Sequence, residues 1–432
     1  PVIATELAMF GMNFFDASMS GQAGAVELAG TAMAGNFWMP FRAGLGGALM
    51  ACTPIVAQLI GAGKKEDIPR VVQQGFFLAF FFAAVVLGFF VFGVDFFYEY
   101  MELEPDVIHV AYWYGISVGA GVLPFFLVGP LRSLVDSLGH TDLSMKIFLA
   151  ALPINAVLNY IFIFGLGFVP AYGGIGAGIA TGITYWIIFF FYAWSVYYLP
   201  GLREYGVFRN IRFNASAFWE YLRIGIPLGC CIFLECGCFA LTAFLIAKFG
   251  TAYIAADMAA TNFCTVMYMI PCSISLAVTI LVGIEVGAKR FHEAHVFSVL
   301  AVQISLAAVF VYTTFEFFNR DLVARIYTQD AEVALLIVEF MFWGIIWQFF
   351  DALGSPLQGI LRGYKDVKIS TVISIISFWG ICIPYGIFMD YVMHRGPLCY
   401  WEGINISLCF DAVVIYFRYK YLERKHQTAG QE

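Results

Sequence analysis

The chain has 432 residues, of which 61% are hydrophobic, 18% are aromatic and only 12% are charged. Soluble globular proteins average roughly 45–50% apolar and about 25% charged residues, so this composition excludes an ordinary soluble protein. The formal net charge is −7, and no long run of basic residues occurs, so nucleic acid is not an expected partner. The composition therefore predicts an integral membrane protein with the lipid bilayer as its surroundings.

In chain order, long apolar stretches are separated by Gly, Pro or charged residues. A helix that spans a bilayer needs about 20 predominantly apolar residues. The stretches predict an all-α integral membrane protein with twelve transmembrane helices, near residues 1–19, 28–60, 71–98, 107–135, 143–165, 176–199, 219–247, 252–286, 293–318, 332–361, 367–390 and 398–418. The first residue is not Met, and only fifteen residues precede Asp16, so we expect the first helix to be truncated.

Lys and Arg are distributed unevenly between the predicted loops. Eighteen of them lie in or near the loops after even-numbered helices or in the C-terminal tail, whereas four lie on the opposite side. Cytoplasmic loops carry an excess of Lys and Arg. Both termini are therefore predicted to be cytoplasmic.

The two halves of the chain share a sequence pattern. The segment "AGTAMAGNFW", which begins at residue 29, matches "AADMAATNFC", which begins 226 positions later. The pattern predicts two pseudo-symmetric six-helix lobes, residues 1–205 and residues 206–432 with the cytoplasmic tail. Because six is an even number, both lobes have the same orientation in the membrane. Two such lobes can rock against each other, which is the motion that alternating access requires.

The candidate functional carboxylates inside the predicted apolar spans are Asp16, Glu235 and Asp351. An ionised side chain at the centre of a bilayer is costly, so a carboxylate there is a functional hypothesis by default. Such a group can bind H⁺ or Na⁺ at one stage and a cationic substrate at another. The alternative is a carboxylate that only forms a hydrogen bond to a neighbouring helix.

Other polar residues also lie in the apolar helices. Asn155 and Asn159 are four residues apart and therefore share one helix face, while Asn36 and Asn262 occupy matching positions of the two halves. Asn can also hold membrane helices together by hydrogen bonds, so both roles stay open. Arg42 has two possible roles as well: its side chain can pair with a carboxylate, or it can extend to the membrane–water interface.

Two further features are predicted to have structural roles. Asp257 lies near a predicted helix end, where a hydrated interfacial position is expected. The glycine-rich segment "GGIGAGIATG" at 173–182 lacks the strand–turn–helix context of a phosphate-binding loop. Close packing between helices explains it better.

Several long motifs resemble those of one transporter family. They are "GMNFFDASMSG", "PIVAQLIGAGKKEDIPRVVQQG", "NAVLNYIFIFG" followed by "GGIGAGIAT", and "LRGYKD". Together they resemble the multidrug and toxic compound extrusion (MATE) family, with most similarity to its bacterial NorM-type branch, and the resemblance extends over essentially the whole chain. It implies a multi-pass antiporter of the bacterial inner membrane that contributes to drug resistance. Such a protein exports cationic amphipathic compounds in exchange for Na⁺ or H⁺.

The resemblance also assigns roles to individual residues. Asp16 matches the acid of the first helix, and Glu235 and Asp351 match two acids of the second lobe that are implicated in cation binding and would hold Na⁺ in a sodium-coupled protein. The candidate substrate-binding residues are Asn36, Asn155, Asn159, Asn262, Trp347 and Gln348. Trp347 departs from the family pattern, because NorM-like proteins often have a Tyr there, and the Trp side chain offers only a hydrogen-bond donor.

The favoured interpretation is a monomeric antiporter without a cofactor that exports small organic cations in exchange for Na⁺ or H⁺ by alternating access. The alternative is a flippase or exporter of a lipid-linked or other polar metabolite on the same two-lobe fold, which would favour a cationic site. An intramembrane enzyme is disfavoured because no intramembrane His or metal-spaced pair occurs in the sequence. A major-facilitator transporter is disfavoured because the loop between predicted helices 2 and 3 reads "GAGKKED" and lacks the acidic-Arg-Gly-Arg pattern of that class.

Overall fold

The computed structural model describes residues 1–92, 105–167 and 169–429. In lipid every backbone polar group must be satisfied within the protein, and an α-helix achieves this within one segment. The long apolar runs of the sequence accordingly form α-helices. In the first half of the chain these are α1 Val2–Ala23, α2 Ala25–Leu49, α3 Cys52–Gly61, α4 Ile68–Phe92, α5 Pro105–Gly119, α6 Val122–Ser137, α7 Thr141–Phe164 and α8 Gly174–Tyr198.

The second half contains five helices of more than 30 residues and two short ones. They are α9 Ala215–Ala247, α10 Thr251–Gly287, α11 Phe291–Tyr327, α12 Ala331–Gly363, α13 Val367–Ile375, α14 Ile383–Tyr391 and α15 Leu398–Ala429. Helix α12 begins at a capped end, because the Asp330 side chain accepts a hydrogen bond from the Glu332 backbone N–H (2.8 Å). A π-helical segment, Ile376–Cys382, joins α13 to α14, so Val367–Tyr391 is one continuous span.

The predicted all-α fold is confirmed, and its helices lie where the apolar stretches predict them. Among the described residues, ten helices are long and apolar enough to cross a membrane, or eleven if the bent pair α5 and α6 forms one span. Helix α1 has 22 residues and is not among them. Part of the predicted helix at 71–98 lies outside the described residues. Within the part of the chain that the structure describes there is no β-strand, only an isolated bridge between Leu166 and Val169.

Contacts between residues divide the chain into two compact units. The first comprises Pro1–Ile60 and Lys64–Gly229, and the second comprises Gly61–Gly63 and Cys230–Glu432. The division after Gly229 lies inside α9, whereas the sequence places the boundary of the lobes at 205/206. The boundary at 205/206 stays a prediction.

In the first unit, the glycine-rich start of α8 packs closely against its neighbours. A Cβ atom on Gly176 would lie 2.2 Å from the carbonyl oxygen of Phe162, and one on Gly178 would lie 2.8 Å from that of Tyr114. Only residues without a side chain allow the backbones to approach this closely. The prediction that the segment at 173–182 serves helix packing is therefore confirmed.

In the second unit, α10 and α12 form the corresponding close contact. The Ser275 hydroxyl donates to the carbonyl oxygen of Ser355 (2.6 Å), and the Thr279 hydroxyl donates to that of Gly359 (2.9 Å). A Cβ atom on Gly359 would lie 2.4 Å from the carbonyl oxygen of Ser275. Gly359 thus sets the distance between the two helices that carry much of the site described below.

We expect Gly359→Ala to destabilise the protein, because the new methyl group would force α10 and α12 apart. Overpacking of this kind costs about 1–3 kcal/mol. The matched control is Gly354→Ala on the same helix, where the nearest atom to the new Cβ is Ala412 Cβ at 3.8 Å. The measurement is the thermal unfolding midpoint of each purified variant. Equal midpoints for the two variants would contradict this account of the helix contact.

Candidate functional site

The Asp16 carboxylate is the centre of a polar cluster in the first unit. Its Oδ1 accepts a hydrogen bond from Asn159 Nδ2, and its Oδ2 accepts one from the Thr181 hydroxyl, both at 2.6 Å. These donors come from α7 and α8, whereas Asp16 lies on α1. The structure therefore brings together the predicted residues Asp16 and Asn159, and it adds Thr181.

The paired asparagines of α7 extend this cluster. Asn159 Nδ2 also donates to Asn155 Oδ1 (3.2 Å), and Asn155 Nδ2 donates to the Thr184 hydroxyl (3.4 Å). Both asparagine side chains are buried. Asn159 Oδ1 is buried and has no hydrogen-bond partner. The cluster thus offers a carboxylate and a free amide oxygen, which are ligand types that H⁺, Na⁺ or an organic cation can use.

Arg42 has neighbours in common with Asp16. Tyr114 and Tyr185 interact electrostatically with both Arg42 and Asp16. Tyr114 is buried and Tyr185 is half-buried. Of the two roles left open for Arg42, the structure favours a place beside the carboxylate cluster of the first unit.

The repeat-related asparagines Asn36 and Asn262 do not join either cluster. Both are exposed, and Asn262 accepts a hydrogen bond from the Tyr327 hydroxyl (3.0 Å). Their assignment as substrate-binding residues stays a prediction.

In the second unit, Asp351 lies beside an aromatic cluster. Trp347 Nε1 donates to Asp351 Oδ2 (2.9 Å), so the residue that departs from the family pattern acts as a donor. The Trp347 ring stacks on Phe239, with 5.1 Å between ring centroids, and meets Trp401 edge-on at 5.5 Å. The carboxylate is therefore held at the edge of a buried aromatic cluster.

Glu235 and Asp351 belong to one electrostatic neighbourhood, although they lie on α9 and α12. The Asp351 carboxylate interacts with Glu235 and with Asp411, and Glu235 interacts with Asp411 and Arg362. The structure thus brings the two predicted acids of this lobe together. It also adds a third carboxylate from α15.

Several residues of this neighbourhood were not predicted. Asp411 is buried and accepts hydrogen bonds from Gln358 Nε2 and the Ser374 hydroxyl, both at 3.1 Å. Tyr268 interacts with both Glu235 and Asp351 and supplies a phenol near the two acids. The signal for Asp411 was available in the sequence, because a carboxylate inside a predicted apolar span is itself unusual.

The predicted hydrated surroundings of Asp257 are wrong. Its side chain is buried, and Asp257 Oδ1 accepts a hydrogen bond from Trp401 Nε1 (2.7 Å). Helix α10 has 37 residues, which is longer than a bilayer requires. Distance from a helix end is therefore a poor measure of burial in this helix.

None of the three predicted coupling acids forms an ion pair with a described residue, although Arg362 interacts with Glu235 at longer range. Across residues 1–92, 105–167 and 169–429, no ion pair includes Asp16, Glu235 or Asp351; ion pairs form elsewhere, as between Arg132 and Glu6 (2.6 Å). The same residues contain no group of three or more His, Cys, Asp and Glu side chains suited to a metal ion. Any Na⁺ near Glu235 and Asp351 would therefore need further oxygen ligands, such as the hydroxyl of Tyr268.

Comparison with known proteins identifies the family. The MatE family model matches residues 1–161 and again residues 227–388. The chain belongs to the MatE family. The two matches begin 226 residues apart, which is the offset of the repeat in the sequence. The two matches support an origin of the two lobes of this MatE chain by duplication.

Relatives that match nearly the whole chain come from bacteria. The chain is 41% identical over 430 residues to a protein of Oceanobacillus iheyensis called "Probable multidrug resistance protein NorM", covering 98% of this chain and 95% of that protein. A protein of the same name from Halalkalibacterium halodurans is 41% identical over 435 residues, covering 100% and 94%. This MatE chain is therefore a multi-pass membrane protein of the kind that these NorM sequences represent.

Solved structures show the same fold. A eukaryotic MATE transporter has a TM-score of 0.86 and 19% identity, with 99% of this chain and 96% of that chain covered. An outward-facing multidrug resistance MATE transporter has a TM-score of 0.90 and 17% identity, covering 99% and 95%. At these identities the likeness concerns the two-lobe MATE fold alone.

Proposed function

We propose that this MatE protein is a secondary antiporter that exports cationic amphipathic compounds in exchange for Na⁺ or H⁺ by alternating access. One observation carries the proposal: in the described residues Asp16, Glu235 and Asp351 lie in apolar helices, and no ion pair neutralises them. A buried carboxylate favours a neutral form or a bound cation. Each acid is thus a place where a small coupling ion and a cationic drug compete.

The aromatic residues beside Asp351 support the choice of substrate. An organic cation gains from an aromatic face within about 6 Å of the ring centroid, and Trp347, Phe239 and Trp401 form an aromatic cluster next to the carboxylate. Trp347 and Trp401 are buried, with exposed fractions of 7% and 1%, so the ring of this cluster on which the apolar part of an amphipathic drug can pack is the half-buried Phe239, while the charge of the drug meets Asp351. The names of the NorM relatives agree with drugs as substrates.

We further propose that the protein acts as a monomer in the bacterial inner membrane, with both termini cytoplasmic. The ratio of eighteen to four basic residues between the two sides supports this orientation. In the proposed antiport, the drug moves out of the cell while Na⁺ or H⁺ moves into it.

The test is drug uptake into inside-out vesicles with an imposed Na⁺ or H⁺ gradient. We expect Glu235→Gln to reduce gradient-driven uptake of an ethidium-like cation at least about tenfold, since a contact to a charged group contributes about 1.5–3 kcal/mol and 1.4 kcal/mol is a factor of ten. Glu293→Gln is the matched control, because Glu293 is exposed on α11. Its uptake should equal that of the unmodified protein.

Two results would contradict the proposal. One is uptake by Glu235→Gln, Asp16→Asn and Asp351→Asn that equals uptake by the unmodified protein. The other is transport of an anionic lipid-linked sugar with no transport of organic cations, which would support the flippase alternative.

A further inference from the structure

Glu316 and Gln348 form a buried polar pair between α11 and α12. Glu316 is 1% exposed and Gln348 is 2% exposed. Gln348 Nε2 donates to Glu316 Oε1 (3.2 Å) and contacts Cys264 Sγ on α10 (3.4 Å). Glu316 lies two residues before the end of the predicted helix near 293–318 and is not among the predicted site residues. Helix α11 is kinked at Asn319, where the backbone is not helical, and its last part ends at Tyr327.

The hydrogen bonds of this pair are incomplete in a specific way. Glu316 Oε2 and Gln348 Oε1 are both buried, and neither has a hydrogen-bond partner. The carboxylate and the amide, which already share one hydrogen bond, therefore each have one acceptor oxygen without a donor. Buried polar atoms are normally satisfied. An ionised carboxylate cannot satisfy the amide oxygen, because it has no hydrogen to donate.

A proton on Glu316 removes both deficiencies. The carboxyl O–H can then donate to Gln348 Oε1 while Gln348 Nε2 continues to donate to Glu316 Oε1, which closes a cyclic acid–amide pair. We propose that Glu316 is a proton-binding site of the second unit and that Gln348 is its hydrogen-bonding partner. The ligand is one H⁺, taken up by the carboxylate and given back when the pair opens.

The other groups that face this pair agree with a neutral Glu316. From α11, Arg320 is the cation that interacts with Glu316, but it lies over the Phe317 ring, 4.5 Å from its centroid, and donates to a backbone oxygen. From α10, Cys264 interacts with Glu316, Asp351 and Asp257. Tyr312 interacts with Glu316 and Asp351, and its buried hydroxyl also lacks a partner. The neighbours are thus mainly acidic or neutral, which favours a protonated carboxyl.

Consecutive residues of α12 connect this site to Asp351. Gln348 donates to Glu316 on α11, and its neighbour Trp347 donates to Asp351 on the same helix, so opening of the Glu316–Gln348 pair can release this turn of α12 and with it the indole that contacts Asp351. A proton at Glu316 can in this way bias the site at Asp351. This coupling rests on the proposed antiport, whereas proton binding by Glu316 does not.

Infrared spectroscopy of the purified protein in lipid tests the proposal without any transport. We expect the unmodified protein to show the C=O stretch of a protonated, hydrogen-bonded carboxyl group that disappears as the pH is raised. Glu316→Gln should lose this band, and Glu293→Gln, at an exposed position of the same helix, should retain it. Gln348→Met should shift the band to higher frequency, because the carboxyl group then lacks its amide partner.

Two results would overturn the proposal. The first is an identical set of carboxyl bands in the unmodified protein and Glu316→Gln at every pH, which would mean that Glu316 stays ionised. The second is loss of the band when Na⁺ replaces choline at constant pH, which would make the pair a sodium site. Neither result depends on drug export, so failure of the proposed antiport is distinguished from failure of this inference.

Discussion

Asp351→Asn will nearly abolish export of organic cations. The substitution keeps the size of the side chain and leaves an oxygen that can accept from Trp347 Nε1, so the contact at 2.9 Å can persist. What it removes is the negative charge on which both the drug and the coupling ion depend. The loss of a charged contact of about 1.5–3 kcal/mol corresponds to about 10- to 100-fold weaker cation binding. The measurements are drug binding to purified protein and gradient-driven uptake in vesicles.

The control for this variant is Asp321→Asn. Asp321 is exposed on α11, so the same change of charge there should leave binding and uptake within about twofold of the unmodified protein, since surface charges contribute little. If Asp351→Asn bound and exported cations normally, Asp351 would be a structural hydrogen-bond acceptor and not a coupling residue.

Asp16→Asn is expected to decrease export by a similar factor, although Asp16 belongs to the polar cluster of the first unit and not to the site at Asp351. Both oxygens of Asp16 accept hydrogen bonds, from Asn159 and Thr181, and the new amide can donate to Asn159 Oδ1, which has no partner. The variant should therefore fold, with a neutral cluster that resembles the protonated one. We expect gradient-driven export to decrease at least about tenfold, because a charged contact of about 1.5–3 kcal/mol is lost.

The comparison with Asp142→Asn isolates the charge at Asp16. Asp142 forms an exposed ion pair with Lys146, which contributes roughly 0–1 kcal/mol, so its loss should affect neither stability nor export measurably. A low thermal unfolding midpoint of Asp16→Asn together with normal export per folded molecule would show that Asp16 only holds α1, α7 and α8 together.

The architecture could be predicted because lipid leaves few alternatives. An apolar run of 20 or more residues in a bilayer forms a helix, so the predicted segments coincide with observed helices even where Pro interrupts them. Pro356 lies inside α12, for example, without ending it. The repeat at an offset of 226 was also visible in the sequence and is matched by the two parts of the MatE model.

The polar clusters could be predicted only in part. Asp16, Glu235 and Asp351 are conspicuous because each interrupts an apolar run, but their hydrogen-bond partners depend on how helices pack. Thr181 donates to Asp16, but it lies in a glycine-rich segment that indicates helix packing, so its contact with the carboxylate could not be predicted. Glu316 lies near the predicted helix end at 318, next to which the structure has a kink at Asn319, and its partner Gln348 comes from another helix. Tertiary contacts of this kind leave no periodic pattern in one sequence.

The most direct test of the central proposal measures ion movement driven by the drug. Purified protein is placed in lipid vesicles, a gradient of an organic cation is imposed, and internal Na⁺ and pH are recorded without any ion gradient at the start. The account predicts that Na⁺ or H⁺ moves against the direction of the drug, and that this counterflow is lost in Asp351→Asn and retained in Asp321→Asn. Drug movement with no opposite movement of either ion would contradict antiport.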